Sequence, residues 1–277
     1  RNVSQSADYN SPWKRLDLDE SASSGVIIEG KRILTVAHAV SDSRFLEVEK
    51  EQGGGAFRAS VAFIAHDCDL ALLEVEDDSF WTDTAALPLG ERTPDLTARV
   101  SAYGFPTGGS RISITQGVVS RIDYILYTHS GHDYHLILQI DAAVNPGNSG
   151  GPVLKDGKIV GLAFQAMTEA ENIGYVIPLT VIRHFLDDIA DGVYHGYPDL
   201  GIVYSDLLNP AYRSFLKLPE GRTGVAVESV VPDRSAAEQI RRGDVLVAID
   251  GIEIQNDGAI TIEGNRCSLN EAVERKQ

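Results

Sequence analysis

Residues Asn145-Pro146-Gly147-Asn148-Ser149-Gly150-Gly151-Pro152 surround one serine with glycines. A serine hydroxyl is a weak nucleophile until a neighbouring base takes its proton. Acyl transfer through it also needs N–H donors aimed at the oxyanion that develops. Gly147 can adopt backbone angles that turn its N–H toward the same point as that of Ser149. The segment Gly147, Asn148 and Ser149 is therefore the candidate oxyanion hole. Gly150 and Gly151 carry no side chain that would block a peptide carbonyl or an imidazole. The bland alternative is a glycine-rich turn with an incidental serine.

A base is available in Leu34-Thr35-Val36-Ala37-His38, where a histidine ends an apolar, strand-like run. Imidazole is the side chain suited to general-base work near neutral pH. Asp67-Cys68-Asp69-Leu70-Ala71-Leu72-Leu73 then places carboxylates at the mouth of a second apolar run. A buried carboxylate there can fix the tautomer of His38 and stabilise its imidazolium. Asp69, immediately before the apolar run, is preferred, and Asp67 is its rival. The chain order is histidine, aspartate, serine, which is the chymotrypsin order and not that of subtilisins or α/β-hydrolases.

Such a triad needs a rigid scaffold. Short Val-, Ile- and Leu-rich runs at residues 25–28, 32–36, 45–48, 70–75, 117–122, 136–140 and 158–164 predict strands. Gly, Pro, Asp and Ser separate them, a pattern that points to a barrel or sandwich. Val181, Ile182, Phe185, Leu186 and Ile189 recur at three- and four-residue steps, with Gly192 just beyond, and predict one helix. Residues 1–190 are thus expected to form the catalytic domain, 191–198 a linker and 199–277 a second, smaller unit. That unit should hold strands at 224–230 and 245–249, a turn at Asp250-Gly251 and a helix at 269–275.

The 277 residues allow one large or two medium domains, and 43% of them are hydrophobic, enough for packed cores. The net charge of −16 opposes binding to nucleic acid or anionic membrane. No apolar run approaches a membrane span. Two cysteines far apart, Cys68 and Cys267, imply no disulfide framework.

Together, Thr35-Val36-Ala37-His38, Asp69-Leu70-Ala71-Leu72, Gly147-Asn148-Ser149-Gly150-Gly151-Pro152 and Ile173-Gly174-Tyr175-Val176-Ile177-Pro178 resemble the signatures of HtrA/Deg serine proteases. The likeness covers nearly the whole chain and is strongest to the plant Deg branch and its bacterial relatives. It implies a mainly β, chymotrypsin-like protease domain of two perpendicular six-stranded barrels, with the site between them, followed by a PDZ-like α+β domain. It implies ATP-independent cleavage of unfolded or damaged proteins through an acyl-enzyme, without a cofactor. It also implies trimers or multiples of trimers, with the segment holding Tyr9 and Trp13 taking part in assembly. Family habit alone favours a bacterial envelope location and leaves an organellar or cytosolic one open. Asn148 stands where digestive relatives carry an aspartate that binds a freed N-terminus, so that activation route is not expected. Val36 stands where many relatives have Asn or Ala. The PDZ-like unit reaches Gln277 without the closing strand expected after its helix.

By the same resemblance Ala143 and Val144 would line the primary specificity pocket, which is then uncharged and suited to small or medium apolar P1 side chains; the plainer alternative is that both are core residues. Leu200-Gly201-Ile202 resembles a PDZ carboxylate-binding loop, and residues 243–251 resemble the family's second PDZ signature. Such a domain takes a peptide C-terminus as an added strand. His129, His132 and His135 could be read as zinc ligands, but residues 128–134 read as a polar loop with nothing nearby to complete the set. Against the endopeptidase stand a PDZ-bearing holdase or scaffold with little turnover, and an esterase, for which the order of the triad is wrong.

Overall fold

The computed structural model describes the chain except residues 9, 52, 54, 107, 108, 110, 167–172, 233, 235, 263 and 277, and the side chains of 165, 166 and 265. It divides into two compact units, Arg1–Gly196 and Tyr197–Gln277.

The first unit is built of antiparallel strands. In its N-terminal half, Val26–Ile28, Arg32–Thr35, Leu70–Glu74 and Ser60–Ala65 form one four-stranded sheet. Asp19–Ser21, Asn2–Ser4, Ser43–Glu49 and Ala56–Arg58 form another. The chain passes between the sheets at Ala59, whose N–H still donates to Leu46 O at 3.0 Å. The strands of this half of the double barrel thus fall into two four-stranded sheets joined at Ala59.

In the other half, Ser113–Leu126, Tyr134–Ile140, Gly174–Pro178, Lys158–Ala166, Pro152–Lys155 and Arg99–Gly104 close into a six-stranded barrel. Inward residues of alternating strands, among them Val100, Val119, Leu138, Ile140, Val153 and Val176, fill it. A barrel has no free edge, so every strand is paired on both sides. The helix Leu179–Asp188 follows and buries Leu179, Val181, Ile182 and Phe185, the stripe that its spacing predicts. His184 is buried on the same face.

Residues 191–196 stay with the first unit because its helix holds them. Asp188 Oδ2 accepts from His195 N at 2.7 Å and from Gly196 N at 3.1 Å. Trp13 lies 80% exposed, with Leu18 exposed nearby in sequence; Tyr9 lies outside the described residues.

The second unit has a three-stranded sheet of Ile202–Ser205, Val225–Val230 and Val245–Leu246. Two hairpins and two short helices, Pro210–Phe215 and Leu269–Glu274, complete it. Asp250 and Gly251 both have positive φ (50° and 79°), the mirror-image turn that suits a tight hairpin. Val225, Ile254, Ile260 and Leu269 form its core. Cys68 and Cys267 are buried, one in each unit, and neither is in a disulfide among the described residues.

Candidate active site

His38 stands in a single 3-10 turn, Ala37–Ala39, directly after the strand Arg32–Thr35. The turn is held by Asp69 three times over. Ala37 N donates to Asp69 O at 3.1 Å, His38 N to Asp69 Oδ1 at 2.8 Å, and His38 Nδ1 meets Asp69 Oδ2 at 2.7 Å. Asp69 is 1% exposed. A carboxylate can only accept, so Nδ1 carries the proton toward it, and in the neutral imidazole the lone pair is then on Nε2. That is the tautomer a general base requires.

The aim of Asp69 depends on its backbone, which sits at φ +53°, a left-handed conformation that aspartate tolerates better than most residues. Asp67 helps to form that turn. Its Oδ1 accepts from Cys68 N at 2.9 Å and from Tyr194 OH at 2.7 Å. Asp67, the rival for the triad, is thus occupied in bracing the loop. Tyr194 comes from the segment after the helix, a contact with no signal in sequence.

Ser149 lies beyond a tight loop on the barrel side. Its Oγ donates to Phe164 O at 3.2 Å, and among the described residues it makes no hydrogen bond to His38. Phe164 sits at a register shift between Ala163 and Gln165, where a bulge leaves its carbonyl out of the ladder. Rotation about the Ser149 side chain is needed before Nε2 can take the proton.

The three oxyanion candidates do not behave alike. Asn148 N is committed to Asn145 O at 2.9 Å, closing the turn. Gly147 N and Ser149 N donate to nothing among the described residues, so they are the two donors left for an oxyanion. Gly147 has φ +97°, the region only glycine adopts freely. Gly150 and Gly151 are glycines for another reason than substrate access. A Cβ on Gly150 would overlap Ser24 O and Thr35 Oγ1, and one on Gly151 would overlap Tyr103 O. The loop is pressed against its neighbours on that side.

Of the two pocket candidates, Val144 points into the barrel core, where it packs on Gly174. Core packing, the plainer reading, holds for it. Ala143 stays half-buried, with its carbonyl accepting from Thr115 Oγ1 at 2.9 Å. In the second unit, Gly201 N donates to the Asp199 carboxylate at 2.9 Å. An internal carboxylate therefore holds the donor that a PDZ loop would offer to a peptide terminus. Leu200 leans on the core, and Ile202 opens a strand paired with Val225–Val230.

The three loop histidines diverge. His135 stacks edge-on against buried Tyr127, and His132 lies at the surface beside Asp133. Among the described residues no group of three or more His, Cys, Asp or Glu is placed to hold a metal. His129 turns to the first barrel instead. Its Nε2 lies 2.8 Å from His66 Nδ1, and its ring is 6.2 Å from that of His38. Sequence reading missed His66, whose only signal is its place three residues before Asp69. Burial lowers the pKa of His129 below the ordinary value; Asp69 pulls it up, while His66 and His38 push it down. A neutral His129 is thus favoured in the fold. Its contribution to stability is present above about pH 6.5 and is lost as acid protonates the unfolded chain first. In an NMR titration its Cε1–H should shift with a midpoint below about 6.5. A midpoint at or above that value would contradict the burial.

Known proteins resemble the chain over most of its length. A family model described as trypsin-like peptidase domain matches residues 23–162. The chain is 42% identical over 268 residues to Protease Do-like 4, mitochondrial, of Arabidopsis thaliana, covering 96% of this chain and 51% of that protein. It is 42% identical over 257 residues to Protease Do-like 2, chloroplastic, of the same plant, covering 91% and 42%. The chain thus spans about half the length of the curated relatives it matches. A solved structure of the HtrA-type protease AlgW with tripeptide superposes with a TM-score of 0.70 at 25% identity, covering 89% of this chain and 86% of that one.

Proposed function

Because this chain belongs to the HtrA/Deg family of trypsin-like serine proteases, we propose that it is an ATP-independent endopeptidase for unfolded or damaged proteins, with His38, Asp69 and Ser149 as its triad. The observation that carries the reading is the pair of bonds from one buried carboxylate to the backbone and ring of His38. In this mechanism Nε2 takes the Ser149 proton as Oγ attacks the peptide carbonyl. Gly147 N–H and Ser149 N–H stabilise the oxyanion, and His38 then protonates the leaving amine. Water, activated by the same imidazole, releases the acyl group. No cofactor enters these steps.

The resting site needs adjustment before it can react, since the Ser149 hydroxyl is turned to Phe164 O. Substrate that favours the turned-in serine raises the competent fraction, and where the sites of an oligomer are coupled this makes the rate sigmoidal in substrate concentration. Homo-oligomers, as trimers or multiples of trimers, suit the exposed Trp13 and Leu18 of the N-terminal segment. The second unit serves as a PDZ-like module whose carboxylate loop is closed by Asp199.

Unfolded casein should be degraded by the wild type, and its cut sites report the pocket. With only uncharged groups at Ala143, substrates with Val, Ala or Leu at P1 should be cut at least about tenfold faster than those with Lys, Arg or Asp. A preference for Lys or Arg in peptide libraries would refute a neutral pocket.

A further inference from the structure

We propose that Ser24, which lies outside the triad and the oxyanion segment, is the positioning residue that sets the geometry of the oxyanion hole; this rests on the peptidase reading above. Ser24 precedes the strand Val26–Ile28 of the first sheet, and it is 6% exposed. All its polar groups are engaged. Its Oγ donates to Gly147 O at 2.7 Å and accepts from Phe105 N at 2.9 Å. Its N–H donates to Ser149 O at 2.9 Å, and its carbonyl accepts from Thr35 Oγ1 at 2.8 Å.

Two of these bonds fall on the two residues with free oxyanion donors. The peptide between Gly147 and Asn148 is gripped at both ends, its oxygen by Ser24 and its N–H by Asn145 O. A glycine at φ +97° can turn at little cost, so within the loop only the Asn145 carbonyl restrains that peptide. Ser24 supplies the restraint from across the molecule. With that peptide held, the Gly147 Cα is anchored, and Gly147 N–H, which belongs to the preceding peptide, reorients only by rotation about Pro146 ψ and Gly147 φ against an anchor that also carries Phe105 N. The bond from Ser24 N to Ser149 O likewise anchors the Cα from which the second donor, Ser149 N–H, extends. Phe105 opens the segment between the strands Arg99–Gly104 and Ser113–Leu126, so that segment and the oxyanion loop share one hydroxyl. Burial makes the arrangement stiff, because a lost partner there is not replaced by water.

A hydroxyl that orients the hole acts on the transition state and leaves ground-state binding alone. Ser24→Ala should therefore lower kcat by about tenfold or more, short of the ~10²–10³ of a direct donor, with KM within about twofold. A peptide boronate, whose adduct on Ser149 places an oxygen in the hole, should lose affinity by a similar factor. The matching peptide acid should bind as before. Ser24→Thr keeps the donor and should recover most of kcat. A fold defect alone would weaken both ligands or lower Tm without splitting kcat from KM. If Ser24→Ala does not fold, Ser24→Cys keeps the volume with a weaker donor and should show the same split at smaller size. Wild-type kcat and boronate affinity in Ser24→Ala, or in Ser24→Cys where that is the variant read, would overturn the assignment. A wild type that neither degrades casein nor binds the boronate would overturn the peptidase reading, and this inference with it.

Discussion

Ser149→Ala and His38→Ala should each abolish casein cleavage, with kcat falling by about 10⁶ and nearly the same loss in the double variant. The two residues act as one unit: without the base the hydroxyl keeps its proton, and without the hydroxyl there is nothing to deprotonate. The folding costs differ. Ser149 Oγ has one partner, Phe164 O, so its loss costs about 1 kcal/mol. His38 is the ring partner of a carboxylate 1% exposed, and its removal leaves Asp69 Oδ2 without that bond. That costs more, about 1–3 kcal/mol, and should appear as a lower Tm in His38→Ala than in Ser149→Ala. A fluorophosphonate probe should label wild-type Ser149 and neither variant. Residual cleavage above about 1% in purified Ser149→Ala would mean that another group attacks the substrate.

Sequence gave access to what covalent spacing and hydrophobic period encode. The triad segments, the strands through 158–164 and the helix stripe from Val181 to Ile189 were legible because each is local. Pairing across the fold was not. Short edge strands such as Asp19–Ser21 and Ala56–Arg58 carry too few apolar residues to announce themselves, and only their neighbours make them strands. The same limit applies at the site. The commitment of Asn148 N to the turn, the inward aim of Val144 and the seal of Asp199 on Gly201 are contacts that no spacing reveals. Ser24 and Tyr194 are further cases: each reaches a functional loop more than 120 residues away in the chain.

The choice between Asp67 and Asp69 yields the sharpest second test. Asp69→Asn should cut kcat by about 10⁴. Asparagine fits the left-handed φ of +53° nearly as well as aspartate, so the turn survives. Its amide still has one oxygen, and that oxygen can keep the bond from His38 N. The NH₂ then faces Nδ1, which must turn from donor to acceptor, and the proton moves to Nε2. The ring can no longer take the proton of Ser149, although every atom of the site is near its old place. Asp67→Asn is a different change. Its acceptors face Cys68 N and Tyr194 OH, and an amide oxygen can accept from both. Activity should stay within about tenfold, since only the strength of the two bonds falls. Steady-state kinetics of the two variants, with circular dichroism to confirm folding, separates the roles. A crippled Asp67→Asn beside a mild Asp69→Asn would transfer the third place in the triad to Asp67, and the bond between Asp69 and the imidazole would then be a brace without a catalytic part.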